Sequence, residues 1–266
     1  MPDLRKLLRP NPFAADNGLE EEAVKRACAL PAADPARRMK SVLEALNRVF
    51  VAVFPHAHPK DVSPQAESIS ETASAPQADR ADRGCAVVSA AGTEAVAVFT
   101  SARKLAEAYP KARPQPILIS DAAKLALRTA SGRIVLNPAR EGRGGAPGAD
   151  SAQTFCFSRS VCVSLAGKKP WRAPWENEEI RQKLLRAAHA PSAGDTLCAN
   201  PQSLTLQCTE QGRCRIDILF PCGTRPEAAR AAVSGVIRAV NGDELLKSAL
   251  DWSLIVPRVS SATENV

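Results

Sequence analysis

An α+β fold of two mixed α/β layer domains is predicted by three features of this sequence. Segments with apolar side chains at every second residue alternate with segments where they recur every third or fourth, so strands and helices are interleaved. One long stretch, His56 to Gly84, has neither period. The part after residue 200 carries its own strand, strand, helix, strand pattern, which makes a small ββαβ sheet-helix unit. The predicted division is residues 1–190, a larger domain interrupted by a disordered insertion at 56–84, then 200–258, the ββαβ domain, then a frayed tail at 259–266.

The elements follow in order. Glu20 to Leu30 is a short helix with acids in its first turn, where they favour the helix dipole, and Pro31 stops it. Asp34 and Pro35 are a cap and first-turn pair, after which Ala36, Met39, Val42, Leu43 and Leu46 repeat on one helical face. Arg48 to Phe54 is a strand, and its unbroken apolar run from Val49 predicts burial on both faces. The insertion at 56–84 holds Pro59, Pro64, Pro76 and no aromatic residue, too little apolar surface to offset the entropy of ordering.

Order returns with a hairpin, Cys85 to Ala90 and Glu94 to Phe99, turning through Ala91, Gly92 and Thr93. Ser101 caps a helix that ends near Tyr109. A short strand, Ile117 to Ile119, leads to a helix from Asp121 to Ala130 capped by Ser120, with Gly132 releasing its end. Arg133 to Leu136 is a strand, and the glycine-rich loop Glu141 to Asp150 follows. That loop lacks the Gly-Lys-Ser/Thr entry into a helix which a phosphate cradle needs. Thr154 to Phe157 adds a strand, Ser158 to Ala166 a helix, and Glu176 to Ala188 another with Ile180, Leu184, Leu185 and Ala188 inward.

Past a hinge at Pro191 to Pro201, Leu204, Leu206 and Cys208 alternate, and so do Cys214, Ile216, Ile218 and Phe220, giving a hairpin that turns at Glu210, Gln211 and Gly212. Val233, Val236, Ile237 and Val240 put one apolar face on a helix from Pro226 to Val240. Leu250, Trp252, Leu254 and Val256 alternate as a third strand.

Composition bounds the class. The 266 residues are 45% hydrophobic and 4% aromatic, enough for one large core or two small ones. The longest unbroken apolar run is the six residues from Val49 to Phe54, against the ~20 of a membrane-spanning helix. The charged opening, Met-Pro-Asp-Leu-Arg-Lys-Leu-Leu-Arg-Pro, has no signal-peptide core, so a cytoplasmic protein without a membrane role is expected. The net charge of +7 is spread along the chain, with a local excess of +4 over residues 158–189.

Eight cysteines stand at 28, 85, 156, 162, 198, 208, 214 and 222, and none forms the short C-x2-4-C pair of a zinc turn. No metal and no cofactor are expected on that spacing, and the thiols read as small buried hydrophobes.

Several short strings in a characteristic order carry a family resemblance. They are Asn11-Pro12-Phe13, the helix-strand unit Ser41 to Phe54, Val96 to Ser101, Ile134-Val135-Leu136-Asn137-Pro138, Gly167-Lys168-Lys169-Pro170-Trp171, and Trp175 before a helix. With them the chain resembles the SseB family of bacterial proteins, in the long form found in actinobacteria. The resemblance implies a cytosolic protein with an SseB amino-terminal domain and a smaller carboxy-terminal one; it supplies no reaction and no catalytic residues. The chain departs from the family pattern at Pro174, which adjoins Trp175 rather than preceding it by two residues.

The most informative local feature is the corner of Trp171 and Trp175, flanked by Lys168, Lys169 and Arg172. Each indole offers a large apolar area and an N–H that wants an acceptor. Either the two rings pack over the next helix or the neighbouring domain, rigidified by Pro170 and Pro174, or they present an aromatic surface to a partner whose acidic groups the three cations attract.

Nucleophilic catalysis has little to draw on. His56 and His58 border the insertion, His189 sits at a helix end, and neither a Gly-x-Ser-x-Gly elbow nor a His-Glu-x-x-His helix is present. The predicted function is a non-catalytic binding module for a protein or small-molecule partner. The alternatives are an enzyme with a cleft built from distant residues, and a weak nucleic-acid or ribosome-associated protein, for which no recognition signature is present. Oligomeric state is not encoded in these patterns.

Overall fold

The computed structural model describes residues 13–54, 87–90, 93–138, 153–189 and 200–260. The predicted insertion at 56–84, the glycine-rich loop, most of the hinge and most of the tail lie outside them, as do His56, His58, Cys85 and Cys198.

The first sheet is built from β1 (Arg48–Val53), β2 (Val87–Ala90), β3 (Thr93–Phe99), β4 (Arg113–Leu118), β5 (Ile134–Leu136) and β6 (Phe155–Phe157). Its order is β4-β1-β3-β5-β6, with β2 paired to the first half of β3. Only β3 and β5 run parallel; β1, β4 and β6 are antiparallel to their neighbours. The run Val49 to Ala52 is buried on both faces, as an unbroken apolar strand between two neighbours requires.

On one face Val49, Val51, Val96, Val98 and Ile134 meet α1 (Glu22–Cys28), α2 (Pro35–Ala45), α4 (Ile119–Ala126) and α5 (Arg159–Ala166). On the other, Phe50, Ala52, Ala97 and Phe99 meet Leu105 of α3 (Ala102–Ala108). The rest of that second face, Ala95, Val135 and Cys156, is covered by Trp252. Asp34 and Ser101 cap α2 and α3 as predicted, accepting from the N–H groups of Arg37 and Lys104.

The second sheet has order β7-β8-β9, from Ser203–Cys208, Cys214–Phe220 and Leu254–Val259. The β7–β8 hairpin turns where predicted, pairing Cys208 with Cys214 and Leu204 with Ile218, with Gly212 at φ 79°. β9 is parallel to β8, which needs a crossover; α7 (Pro226–Gly242) and α8 (Glu244–Ala249) provide it. The buried face of α6 (Glu178–His189), Ile180, Leu184 and Ala188, belongs to this second core together with Ile216, Ile218 and Phe220.

Five elements differ from expectation: β4, α4, α7, the last strand and the unpredicted α8. β4 extends back to Arg113 because Pro114 and Pro116 are tolerated on a sheet edge. Ser120 does not cap: the helix already starts at Ile119, whose N–H reaches the Asn47 carbonyl, and it ends at Ala126, where Thr129 Oγ1 takes the last carbonyl.

The buried face of α7 is rotated from the predicted one. Ala228, Ala232, Gly235 and Val236 are inside, Val233 and Val240 sit at the edge of the core, and Ile237 is 45% exposed. Helix α6 packs there too, and close helix approach selects small side chains. Finally, Leu250 and Trp252 precede the last strand, which begins only at Leu254. The helix α8 before them, capped by Asp243, is unpredicted.

A buried ion pair anchors the entry to β1. Arg48 donates to Asp16 and, at 2.5 Å, to the Leu19 carbonyl, with its side chain 6% exposed. Burial alone would raise the Asp16 carboxyl, but hydrogen bonds from Arg48 and the Gly18 N–H, with the Arg48 charge, outweigh it and hold the group below its ordinary value.

Two outcomes are expected. Asp16→Asn should cost about 2–3 kcal/mol at pH 7 in urea unfolding. Because the native carboxyl titrates lower than the unfolded one, that difference should narrow as pH falls below about 4; a gap constant down to pH 2 contradicts the assignment. At Gly235 an added Cβ would lie 2.5 Å from the Ala187 carbonyl oxygen, a backbone atom that cannot move alone. Gly235→Ala should therefore destabilise by about 1–2 kcal/mol, overpacking of ~1–3 outweighing a propensity gain of ~1. Unchanged or higher stability in the same assay contradicts the close packing.

Candidate functional site

After α5 the chain must turn from the first core to the second within a dozen residues. Gly167 ends the helix, Lys168 takes a left-handed conformation at φ 52°, and the Lys169 N–H returns to the Ser164 carbonyl. Pro170 and Pro174 then restrict the path, a single 3-10 turn spans Pro174–Glu176, and Asn177 caps α6 by accepting from Glu179.

This path brings Trp171 and Trp175 edge to face, with ring centroids 5.4 Å apart and planes at 76°. Trp171 packs on the first core and donates its Nε1–H to Ser160 Oγ at 3.3 Å. Trp175 touches both cores, and its Nε1 is buried without an acceptor. Lys168, Lys169 and Arg172 are exposed, and among the described residues none of them pairs with a carboxylate. Thus the two indoles form a seam between the cores, and the three cations stand outside it on the same loop.

The seam opens into a crevice that sequence reasoning missed. It holds about 270 Å³ of empty space including its mouth, with interior room for about one water-sized atom group. Trp171, Trp175, Trp252, Arg213, Cys156 of β6 and Cys214 of β8 are among its lining residues, together with the hydroxyl-bearing Ser158 and Ser253. All three tryptophans of the chain therefore meet here.

Trp252 is 6% exposed and its Nε1 also lacks an acceptor. Two guanidinium groups approach its ring, those of Arg133 at 5.1 Å and Arg213 at 5.5 Å from the centroid. Arg133 is neutralised by Asp251 at 3.2 Å, whose other hydrogen-bond donor is the Arg159 N–H at 3.0 Å. Arg213 donates to the Trp252 carbonyl at 3.2 Å, and among the described residues no carboxylate pairs with it. Burial lowers its pKa from the usual guanidinium range, and the nearby Arg133 charge acts in the same direction.

The thiols here are not poised for attack. Burial pushes Cys28 and Cys156 up to about 11 and Cys162, Cys208 and Cys214 up to about 12, so each stays protonated at neutral pH. His189 Nδ1–H donates to the Leu185 carbonyl at 2.9 Å within its own helix, a structural end-of-helix role. Among the described residues no three His, Cys, Asp or Glu side chains gather as a metal site, and no helix is long and apolar enough to cross a membrane.

Cys222 is exposed, unlike the five buried thiols. Brief iodoacetamide treatment followed by mass spectrometry should therefore modify Cys222 in the native protein, and Cys28, Cys156, Cys162, Cys208 and Cys214 only after denaturation. Rapid native labelling of Cys156 or Cys214 contradicts a closed seam.

Residues 24–143 match the family model of the SseB protein N-terminal domain. That span runs from within α1 past β5, and Trp171, Trp175, Arg213 and Trp252 all lie beyond it. No curated protein and no solved structure matches the chain. Strands β1 to β5 and helices α2, α3 and α4 fall within the matched span, so this part of the chain is similar to an SseB protein N-terminal domain.

Proposed function

We propose that this chain is a binding module that holds an acidic segment of another protein against the loop of residues 168–175, without covalent chemistry. The observation that carries the reading is one loop presenting Lys168, Lys169 and Arg172, exposed and without carboxylate partners, beside the half-buried rings of Trp171 and Trp175. Unneutralised cations beside aromatic surface favour a ligand that is acidic and partly apolar, since charge steers the encounter and ring contact holds it. A cytoplasmic setting, in which the buried thiols stay reduced, is part of the reading.

The test uses the full chain and a labelled model peptide of alternating glutamate and phenylalanine, followed by fluorescence anisotropy. The acidic peptide should bind with an affinity that falls as salt rises, and its lysine counterpart should not bind. Reversing the three exposed charges, as K168E/K169E/R172E, should weaken binding about tenfold or more while leaving the circular dichroism spectrum unchanged. Equal affinity for the two peptides, or none lost in the variant, overturns the proposal. Tighter binding of a single-stranded oligonucleotide than of the peptide returns the nucleic-acid reading instead.

A further inference from the structure

We propose that the three-tryptophan crevice is a receptor for one carboxylate group, anchored by Arg213 and by the indole N–H groups of Trp175 and Trp252. The inference deepens the acidic-partner reading and rests on it for the natural source of the group, while the site itself is a separate feature of the molecule.

Three observations converge on this ligand. The first is charge. Of the two guanidinium groups beside Trp252, Arg133 has its counterion in Asp251 and Arg213 has none among the described residues, so the cluster keeps one net positive charge. Cys156 and Cys214, which also line the space, hold their protons and supply no compensating anion.

The second is hydrogen bonding. Trp175 Nε1 and Trp252 Nε1 are buried donors without acceptors, and both residues line the same space. A buried unpaired donor costs about 1–3 kcal/mol, so two at one site are a strong demand for an acceptor. Neither indole can accept in return, which selects a ligand whose contacting atoms only accept.

The third is size. Room for about one water-sized group admits a carboxylate oxygen, with the remainder of the ligand in the open mouth. A planar carboxylate brings its second oxygen in alongside the first, whereas the tetrahedral head of sulfate holds its other oxygens across the mouth, so the narrow entrance favours the carboxylate. An ionised carboxylate meets all three conditions: it is negative, accepts only, and reaches in with one planar edge.

The three tryptophans make the site its own reporter, because each gives one indole N–H resonance and Trp171 is already committed to Ser160. The full chain, labelled with nitrogen-15, is titrated with sodium acetate at constant ionic strength, chloride and sulfate serving as comparators. Single tryptophan-to-phenylalanine variants assign the resonances.

The expected result is a saturable downfield shift of the Trp175 and Trp252 indole protons, a smaller response from Trp171, and no saturation with sulfate. Arg213→Gln should weaken acetate binding about tenfold, the effect of losing one charge-assisted hydrogen bond. Arg213→Lys, which keeps the charge and loses the fork, should fall between. If Arg213→Gln does not fold, the wild-type titration with its sulfate comparator still decides the matter.

No saturable shift of the two indole protons with either acetate or the glutamate–phenylalanine peptide overturns the inference. So does an equal response to sulfate. A peptide that binds without moving these resonances, when acetate leaves them unmoved as well, refutes the crevice and leaves the loop reading intact. Saturation by acetate with no peptide binding supports the crevice, identifies a free carboxylic acid as its ligand, and refutes the acidic-partner reading. The peptide shifting the same two resonances identifies an acidic side chain as the source.

Discussion

The two sheets are held in register by the docking of one hairpin turn. At the tip of β7 and β8 the Gln211 carbonyl accepts the Cys156 N–H at 2.7 Å, so the outer edge of the first sheet is partly paired by the second unit rather than left open. Gly212 makes the approach feasible on two counts: its φ is 79°, and a Cβ there would lie 2.6 Å from Met39 Sδ. Everything at the seam depends on this contact. Arg213 is carried beside Trp252, Cys208 enters the first core, and the space between the tryptophans is closed on its hairpin side.

Two of the buried arginines in this assembly are each held by a carboxylate and a backbone carbonyl. Arg48 meets Asp16 and a backbone carbonyl, and Arg133 meets both the side chain and the carbonyl of Asp251. Asp251 in turn accepts the first N–H of α5, tying a helix of the first unit to the segment before β9. Removing one partner from such a pair leaves a desolvated charge, which is costlier than never having buried it. Arg213 departs from the pattern: it rests on an indole and a carbonyl with no acid beside it.

Much of the architecture was legible because period and burial agree in a single chain segment. The doubly buried β1, the capped α2 and α3, and the β7–β8 hairpin follow from residue patterns that no other arrangement satisfies as well. What escaped depends on contacts between distant segments. The rotated face of α7 answers to α6, which supplies the backbone that Gly235 nearly touches. Trp252 continued an alternation with Leu254 and Val256 and so read as a strand residue, although its ring belongs to the first sheet. The pair Trp171 and Trp175 is visible as a cluster, but Trp252 and Arg213 are far from it in sequence. The one available signal was rarity: a chain with three tryptophans has reason to bring the third to the other two.

The parallel pairing of β8 with β9 bears on how the protein is made. Thirty-three residues, 221–253, separate Cys214–Phe220 from Leu254–Val259, and β8 lies at the centre of its sheet. During synthesis the hairpin and α6 emerge first, so the ladder side that β9 will occupy stays open while the crossover helices leave the ribosome. That interval is when another strand can intrude. A nascent chain stalled before residue 254 would present bare backbone along Ile216, Ile218 and Phe220, which makes translation pauses in the α7–α8 stretch the hazardous ones for this fold.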